Sequence, residues 1–209
     1  MTPEQVLDTG LDELALDLPA RGQHQLLEYV RLMGQWNRVY NLSAVRSEVD
    51  AVSVHLLDSL AIVSVLPETS TLDVGSGAGL PGVPLAIARP QVRVTMVESN
   101  GKKAAFIRHA VSRLGLDNAE VIEYRVEQWQ TERRFPVIVS RAFAELAAFV
   151  RSAGRLLAPE GRLYAMKGRF SRAEASALPA PWTLLEARRI HVPGLDAERH
   201  VVVIGAGTP

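Results

Sequence analysis

The first 70 residues carry apolar side chains at helical spacing. A capping box with proline at its first helical position predicts a helix over about residues 2–16. Further amphipathic runs predict helices over about 21–40 and 47–67. We therefore expect residues 1–70 to form a helical cap that packs on the rest of the chain.

From residue 71 onward, short apolar runs alternate with amphipathic segments. Strands are predicted at 71–74, 92–97, 119–124, 135–140 and 162–166, and helices at 83–88, 102–114, 145–157 and 173–178. A Pro-Glu-Gly turn at 159–161 is expected to reverse the chain. Two last apolar runs, at 183–192 and 200–204, predict an antiparallel hairpin. The fold class is thus α/β, a doubly wound and mostly parallel seven-stranded sheet after an N-terminal helical extension, and residues 71–209 form its catalytic domain.

A glycine-rich loop follows the first predicted strand. Its glycines permit positive φ and let a ligand approach the backbone closely, so a nucleotide-like ligand is indicated. Residues 73–79 fit the loop of S-adenosylmethionine enzymes, whereas residues 77–82 also fit the dinucleotide pattern GxGxxG. Glu98 ends the second strand about 20 residues further on, where either ligand presents its ribose hydroxyls. The loop and Glu98 leave the choice of cofactor open.

Three later features favour the methyl donor. The predicted hairpin ends the sheet, whereas a dinucleotide domain continues with parallel strands. Tyr164 and Lys167 lie on opposite faces of the fifth strand, so they do not form a Tyr-Lys proton-donor pair. Residues 125–127 are placed to meet an adenine after the third strand, with Val126 and Leu80 as apolar contacts. S-adenosylmethionine is therefore the predicted cofactor, and a nicotinamide-dependent oxidoreductase is the alternative.

Composition and charge narrow the class of protein. The chain has 209 residues with a formal net charge of zero and no cysteine, which excludes a disulfide framework, a thiolate nucleophile and a cysteine metal site. Residues 1–70 hold ten acidic and four basic side chains, whereas residues 71–209 hold thirteen acidic and nineteen basic ones. A basic half can attract phosphates, although the charge split alone decides little. The histidines show no metal-ligand spacing, and neither a signal peptide nor a membrane span is expected, so a cytoplasmic location is predicted.

Several short motifs occur in the order of a known family. They are Asn41-Leu-Ser43, the segments 55–60, 72–82 and 140–144, Met166-Lys-Gly168 and Glu198-Arg-His200. The chain thus resembles the bacterial ribosomal RNA small subunit methyltransferase G family, also called glucose-inhibited division protein B, over nearly its whole length. The resemblance implies a class I, Rossmann-like fold and transfer of a methyl group from S-adenosylmethionine to N7 of a guanosine in the 530 loop of 16S rRNA, near the decoding centre. Two departures from the family's pattern are small: Glu98 stands where aspartate is common, and Ser43 where threonine is.

Methylation of guanine N7 does not require the catalytic groups that this sequence lacks. N7 has a lone pair and no proton to lose, so no general base is required. Cytosine C5 methylation needs a cysteine nucleophile, and the chain has none. Enzymes that methylate exocyclic amines often carry an Asp/Asn-Pro-Pro-aromatic motif after the fourth strand. This chain has Ser140-Arg-Ala-Phe143 at that place.

Candidate site residues follow from these patterns. Arg141 is the first catalytic candidate, for contact with the donor, guanine O6 or a phosphate. Lys167 is the second, for contact with a phosphate or the base. The predicted cofactor contacts are Gly75, Ser76, Gly77, Gly79, Leu80, Glu98, Val126, Glu127 and Arg141. His55 and Asp58 lie on one helical side, where they either meet the donor pocket or, as the favoured interpretation, form a buried hydrogen-bond pair with a helical neighbour. Phe143 is either a core aromatic or a stacking residue.

The expected partner is 16S rRNA, presented as the small ribosomal subunit or its assembly intermediate, and the expected oligomeric state is a monomer. Lys102, Lys103, Arg108 and Arg113 form a basic helix face that either contacts RNA or is merely solvated. A non-catalytic S-adenosylmethionine-binding RNA module is a third functional hypothesis.

Overall fold

A mostly parallel sheet of seven strands runs through the protein. The computed structural model describes residues 1–207. The strand order is β3-β2-β1-β4-β5-β7-β6, in which β1 to β5 are parallel and β7 is antiparallel to both β5 and β6. The strands are β1 Thr71–Val74, β2 Val94–Glu98, β3 Ala119–Glu123, β4 Phe135–Ser140, β5 Leu157–Lys167, β6 Trp182–Arg189 and β7 His200–Ala206. The predicted sheet and its closing hairpin are confirmed.

Local sequence signals begin and end the helices. The Thr2 side chain and Gln5 form the predicted capping box of α1, the Asn100 side chain caps α6, and Gly115 ends α6 in the left-handed conformation. The helices are α1 Pro3–Glu13, α2 Ala20–Tyr40, α3 Glu48–Ala51, α4 Asp58–Leu60, α5 Gly82–Ala88, α6 Gly101–Leu114, α7 Leu146–Ala153 and α8 Arg172–Ser176. A π-helical segment, Val52–Leu57, joins α3 to α4. No helix among residues 1–207 is long and apolar enough to cross a bilayer.

Three predicted boundaries are wrong. The helix predicted over 47–67 ends at Leu60, and turns follow it over residues 61–65. The turn at 159–161 does not reverse the chain but lies within β5, where Phe135 pairs with Leu157 and Val137 pairs with Arg162, so the intervening residues of β5 bulge out of the ladder. The helix predicted over 145–157 ends at Ala153, and one 3₁₀ turn, Gly154–Leu156, follows it.

The hydrophobic core lies on both faces of the sheet. Alternate residues of each strand face opposite sides, so that Val137 and Val139 belong to one apolar cluster and Ile138 to the other. The first cluster contains the buried residues of α1, α2 and the 48–60 segment together with α5 and α6. The second lies under α7. The N-terminal helices therefore share one core with the sheet, and the division into a cap of residues 1–70 and a catalytic domain of residues 71–209 stays a prediction.

Gly10 gives a test of how tightly the N-terminal helices pack. A Cβ at Gly10 would lie 2.7 Å from Cδ2 of Leu57, which is fully buried, whereas a Cβ at Gly34 on α2 would meet nothing within 4 Å. We expect Gly10→Ala to lower the free energy of unfolding by about 1–3 kcal/mol through overpacking. The matched change Gly34→Ala should raise it by about 0.5–1 kcal/mol, because alanine favours the helix. Urea unfolding measures both, and a Gly10→Ala protein as stable as Gly34→Ala would contradict the packing described.

Candidate functional site

The glycine loop leaves β1 in a backbone conformation that favours glycine. Gly75, Gly77 and Gly79 have φ values of 69°, 60° and 90°. A Cβ at Gly75 would also lie 2.8 Å from Cβ of Ala142, which follows β4. The loop therefore lies directly against the segment after β4, at the carboxyl edge of the parallel strands where ligands of open α/β sheets bind.

Two carboxylates hold this loop in place. Gly77 N donates to Glu98 Oε2 at 2.7 Å, and Gly82 N donates to Asp73 Oδ2 at 3.0 Å. The second oxygen of Glu98 accepts from Asn100 N at 2.7 Å. From α2, the buried Tyr29 hydroxyl donates to the Ala78 carbonyl. The loop is thus fixed from β1, β2 and α2 together.

Asp73 is a buried carboxyl whose pKa lies far above its ordinary range. Burial raises the pKa of Asp73 to about 7, opposed by hydrogen bonds from Ser76 and Gly82 and by the charge of Arg141. Its Oδ1 has no hydrogen-bond partner within residues 1–207. Asp73 lies behind the loop and supports it.

A cavity of about 300 Å³ opens beside the loop, and we call it the loop cavity. It is lined by Leu42, Ser43, His55, Gly75, Ser76, Gly77, Ala78, Leu80, Arg141 and Ala142. Five of the predicted cofactor contacts, Gly75, Ser76, Gly77, Leu80 and Arg141, therefore lie together. The N-terminal helical region supplies Leu42, Ser43 and His55 as the opposite wall, and of these three the sequence indicated only His55 as a candidate for the donor pocket.

The other predicted cofactor contacts lie elsewhere. Gly79 turns away from the loop cavity, since a Cβ there would lie 2.8 Å from Val83 Cγ2. Glu98 is 7% exposed and holds the loop as described. Val126 is buried in the second apolar cluster, and Glu127 is exposed beside it on a 3₁₀ turn, so neither lines the loop cavity. Their contact with an adenine stays a prediction.

A second cavity of about 330 Å³ adjoins the first, and we call it the adjoining cavity. His55 and Arg141 line both cavities. The adjoining cavity is lined further by Val54, Asp58, Met166, Lys167, Gly168, Ile190, Arg199 and His200. Arg141 and Lys167, the two catalytic candidates, thus both line the adjoining cavity.

Asp58 fixes two cations between these cavities. Its buried carboxylate accepts from Arg141 Nη1 at 2.9 Å through one oxygen and from Arg199 Nε at 2.8 Å through the other. The expected buried hydrogen-bond pair with a helical neighbour does not form: the Asp58 oxygens accept from Arg141 and Arg199, and His55 Nε2 bonds to Ser43 Oγ at 2.7 Å. The sequence offers no separate signal for Arg199 beyond its place in the Glu198-Arg-His200 motif.

Lys167 and Phe143 are held by neighbours on the same side of the sheet. The Lys167 ammonium pairs with Glu174 at 2.7 Å and donates to the Ala144 carbonyl. Phe143 stacks on buried Phe149 with ring centroids 5.1 Å apart and packs against the second apolar cluster, as a core aromatic does. Among residues 1–207 no group of His, Cys, Asp and Glu side chains is placed to hold a metal ion.

The fold and the glycine loop define a class of protein. The structure of coclaurine N-methyltransferase bound to N-methylheliamine and SAH superimposes with a TM-score of 0.58, at 15% sequence identity, over 87% of this chain and 61% of that one. The fold is therefore that of class I S-adenosylmethionine-dependent methyltransferases.

The sequence places the protein within that class. The model of the rRNA small subunit methyltransferase G family matches residues 22–202. Ribosomal RNA small subunit methyltransferase G of Methylobacillus flagellatus is 46% identical over 97% of this chain and 98% of its own length. The protein of the same name from Laribacter hongkongensis is 47% identical over 98% of this chain and 99% of its own length. The chain belongs to the rRNA small subunit methyltransferase G family, and the predicted cofactor, S-adenosylmethionine, is confirmed.

The histidine shared by the two cavities should remain neutral well below neutral pH. Burial, with the charge of Arg141, lowers the pKa of His55 to about 4 against the opposing effect of Asp58. Because the unfolded chain binds this proton near pH 6.5, the stability contributed by neutral His55 is complete above that pH. It is lost as the pH falls towards 4, by up to about 3 kcal/mol.

NMR titration of the His55 ring measures this pKa, and urea unfolding at several pH values measures the stability. His55→Gln, which cannot titrate, should show a shallower loss of stability between pH 6.5 and 4. A His55 ring that titrates near pH 6.5 would contradict the burial described.

Proposed function

We propose that the protein transfers a methyl group from S-adenosylmethionine to N7 of a guanosine in the 530 loop of 16S rRNA. Because the chain belongs to the rRNA small subunit methyltransferase G family, the protein is a methyltransferase of small-subunit rRNA. The choice of N7 and of the 530 loop is the proposed part. The observation that carries it is the pair of adjoining cavities that meet at His55 and Arg141.

The loop cavity fits the methyl donor. The glycines leave backbone without Cβ atoms on the wall that would meet the donor, and Ser76 and Leu80 complete that wall. Glu98, at the carboxyl end of β2, is assigned to the ribose hydroxyls, and Val126 and Glu127 to the adenine. When bound, S-adenosylmethionine supplies an electrophilic methyl group on a positively charged sulfur.

The adjoining cavity fits the acceptor nucleotide. It offers Arg141, Lys167 and Arg199 to a ligand that carries phosphate and guanine O6 as acceptors. A guanidinium bonded to N7 itself would block the reacting lone pair, so we assign Arg141 to O6 or to a phosphate. Lys167 is the second contact of this kind.

Catalysis in this arrangement is alignment. Because N7 loses no proton, neutral His55 is not required as a base, and the residues need only hold N7, the methyl carbon and the sulfur in line. Such positioning can lower a barrier by roughly 7–11 kcal/mol in favourable systems. Asp58 contributes by fixing the orientation of Arg141.

The remaining parts of the proposal concern where and how the protein acts. We infer that it acts in the cytoplasm as a monomer, on the small ribosomal subunit or on an assembly intermediate of it. A nicotinamide-dependent oxidoreductase is excluded by the family to which the chain belongs. A non-catalytic S-adenosylmethionine-binding RNA module is tested together with the proposed activity.

Arg141 should be required for methyl transfer. We expect Arg141→Ala to lower kcat/KM for labelled methyl transfer from S-adenosylmethionine to 16S rRNA by about 100-fold or more, because alignment of the guanine is lost. Arg133→Ala is a matched control at the other end of β4. Its guanidinium pairs with Glu120 at 2.8 Å, as that of Arg141 pairs with Asp58 at 2.9 Å, and its activity should stay near wild type.

The modified atom is identified in the same reaction product. A 7-methylguanosine makes the RNA chain sensitive to cleavage by aniline after borohydride reduction, so primer extension should stop at one guanosine of the 530 loop. Undiminished transfer by Arg141→Ala would overturn the role of that residue. Label without cleavage would overturn N7, and the absence of label with every form of the substrate would favour the non-catalytic module.

A further inference from the structure

Aromatic side chains are exposed where the ends of α2 and α6 lie together. Tyr40 is 43% exposed and the neighbouring Val39 is 71% exposed. The Tyr40 ring lies 5.3 Å from that of Trp36, which in turn lies 5.5 Å from that of His109 on α6. The ammonium of Lys102 lies 5.8 Å from the Tyr40 ring centroid. We call Trp36, Tyr40, Lys102 and His109 the Tyr40 surface.

The surroundings of the Tyr40 surface carry positive charge. Helix α6 contains Lys102, Lys103, Arg108 and Arg113 and no acidic residue. Arg108 is paired with Glu123 at 2.8 Å. The last turn of α2 adds Arg38. Exposed aromatic rings among cations are what proteins use to hold unpaired nucleotides, through base stacking and phosphate contacts.

The chain connects the Tyr40 surface directly to the loop cavity. Tyr40 ends α2, and Leu42 and Ser43, the second and third residues after it, line that cavity. On the other side, Asn100 caps α6 and bonds to Glu98, the carboxylate that holds Gly77. One short stretch of RNA can therefore place one nucleotide on this surface and another in reach of the methyl donor.

We propose that the Tyr40 surface binds an unpaired nucleotide of the rRNA substrate that neighbours the methylated guanosine. The base stacks on the Tyr40 ring in the place where the Lys102 ammonium lies in the free protein. The flexible lysine side chain then moves aside to pair with the adjoining phosphate. This assignment depends only on an RNA substrate and not on which atom receives the methyl group.

Filter binding to a 16S rRNA transcript and to small ribosomal subunits that lack the modification tests the stacking contact. Tyr40→Ala should raise Kd for both by about 5- to 150-fold, the range for loss of one base–aromatic stack. Tyr40→Phe, which keeps the ring, should bind within about twofold of wild type. Binding of S-adenosylmethionine, followed by titration, should be unchanged in both variants.

Two further variants separate stacking from general charge. Lys102→Ala should weaken RNA binding and lower the slope of log Kd against log salt by about 0.7, since one phosphate contact to a single strand is lost. Arg31→Ala removes a cation of α2 that pairs with Glu4 at 3.1 Å, outside the surface, and should leave Kd and slope unchanged.

Three results would overturn the proposal: wild-type affinity in Tyr40→Ala, a Tyr40→Phe protein as weak as Tyr40→Ala, or a loss seen with assembled subunits but not with the transcript. The last result would assign the surface to a ribosomal protein. Because Kd is measured without methyl transfer, a failure here is distinct from a failure of N7 methylation.

Discussion

One buried carboxylate joins three parts of the chain that are far apart in sequence. Asp58 comes from the N-terminal helical region, and its two oxygens bind Arg141, which follows β4, and Arg199, which immediately precedes β7. The Asp58 side chain is 4% exposed, whereas the two arginines are about a quarter exposed and face the adjoining cavity. Loss of either arginine would leave a buried charge with one partner fewer, which is costly. The carboxylate thus couples the orientation of two cations in the adjoining cavity to the packing of the helical region.

The two parts of the chain divide the site between them. The sheet supplies the glycine loop, Glu98 and Arg141, which are the features expected of a donor pocket. The N-terminal helical region closes the loop cavity with Leu42, Ser43 and His55, and buried Tyr29 of α2 bonds to the loop. Since the first apolar cluster spans both parts, the helical region is built into the site and does not merely rest on it.

The sequence predicts the features that depend on local pattern. The predicted bounds of strands 71–74 and 135–140 match the structure at every residue, because apolar runs between loop signals mark buried parallel strands. The segment 159–161 has the composition of a turn, but pairing across β4 keeps it inside β5 as a bulge. The sequence does not indicate the role of Arg199, because its contact with Asp58 joins residues 141 positions apart and leaves no periodic pattern in the chain. Buried polar partners are chosen by tertiary packing, which a single sequence does not display.

The central claim is that the two cavities bring a methyl donor and one guanosine of the 530 loop together. Mass-spectrometric mapping of methylated nucleotides in 16S rRNA, from cells with and without this protein, tests it most directly. The account predicts that one N7-methylguanosine in the 530 loop disappears when the protein is absent and returns when it is resupplied. An unchanged set of methylated nucleotides, or loss of a methyl group at another atom or another loop, would contradict it.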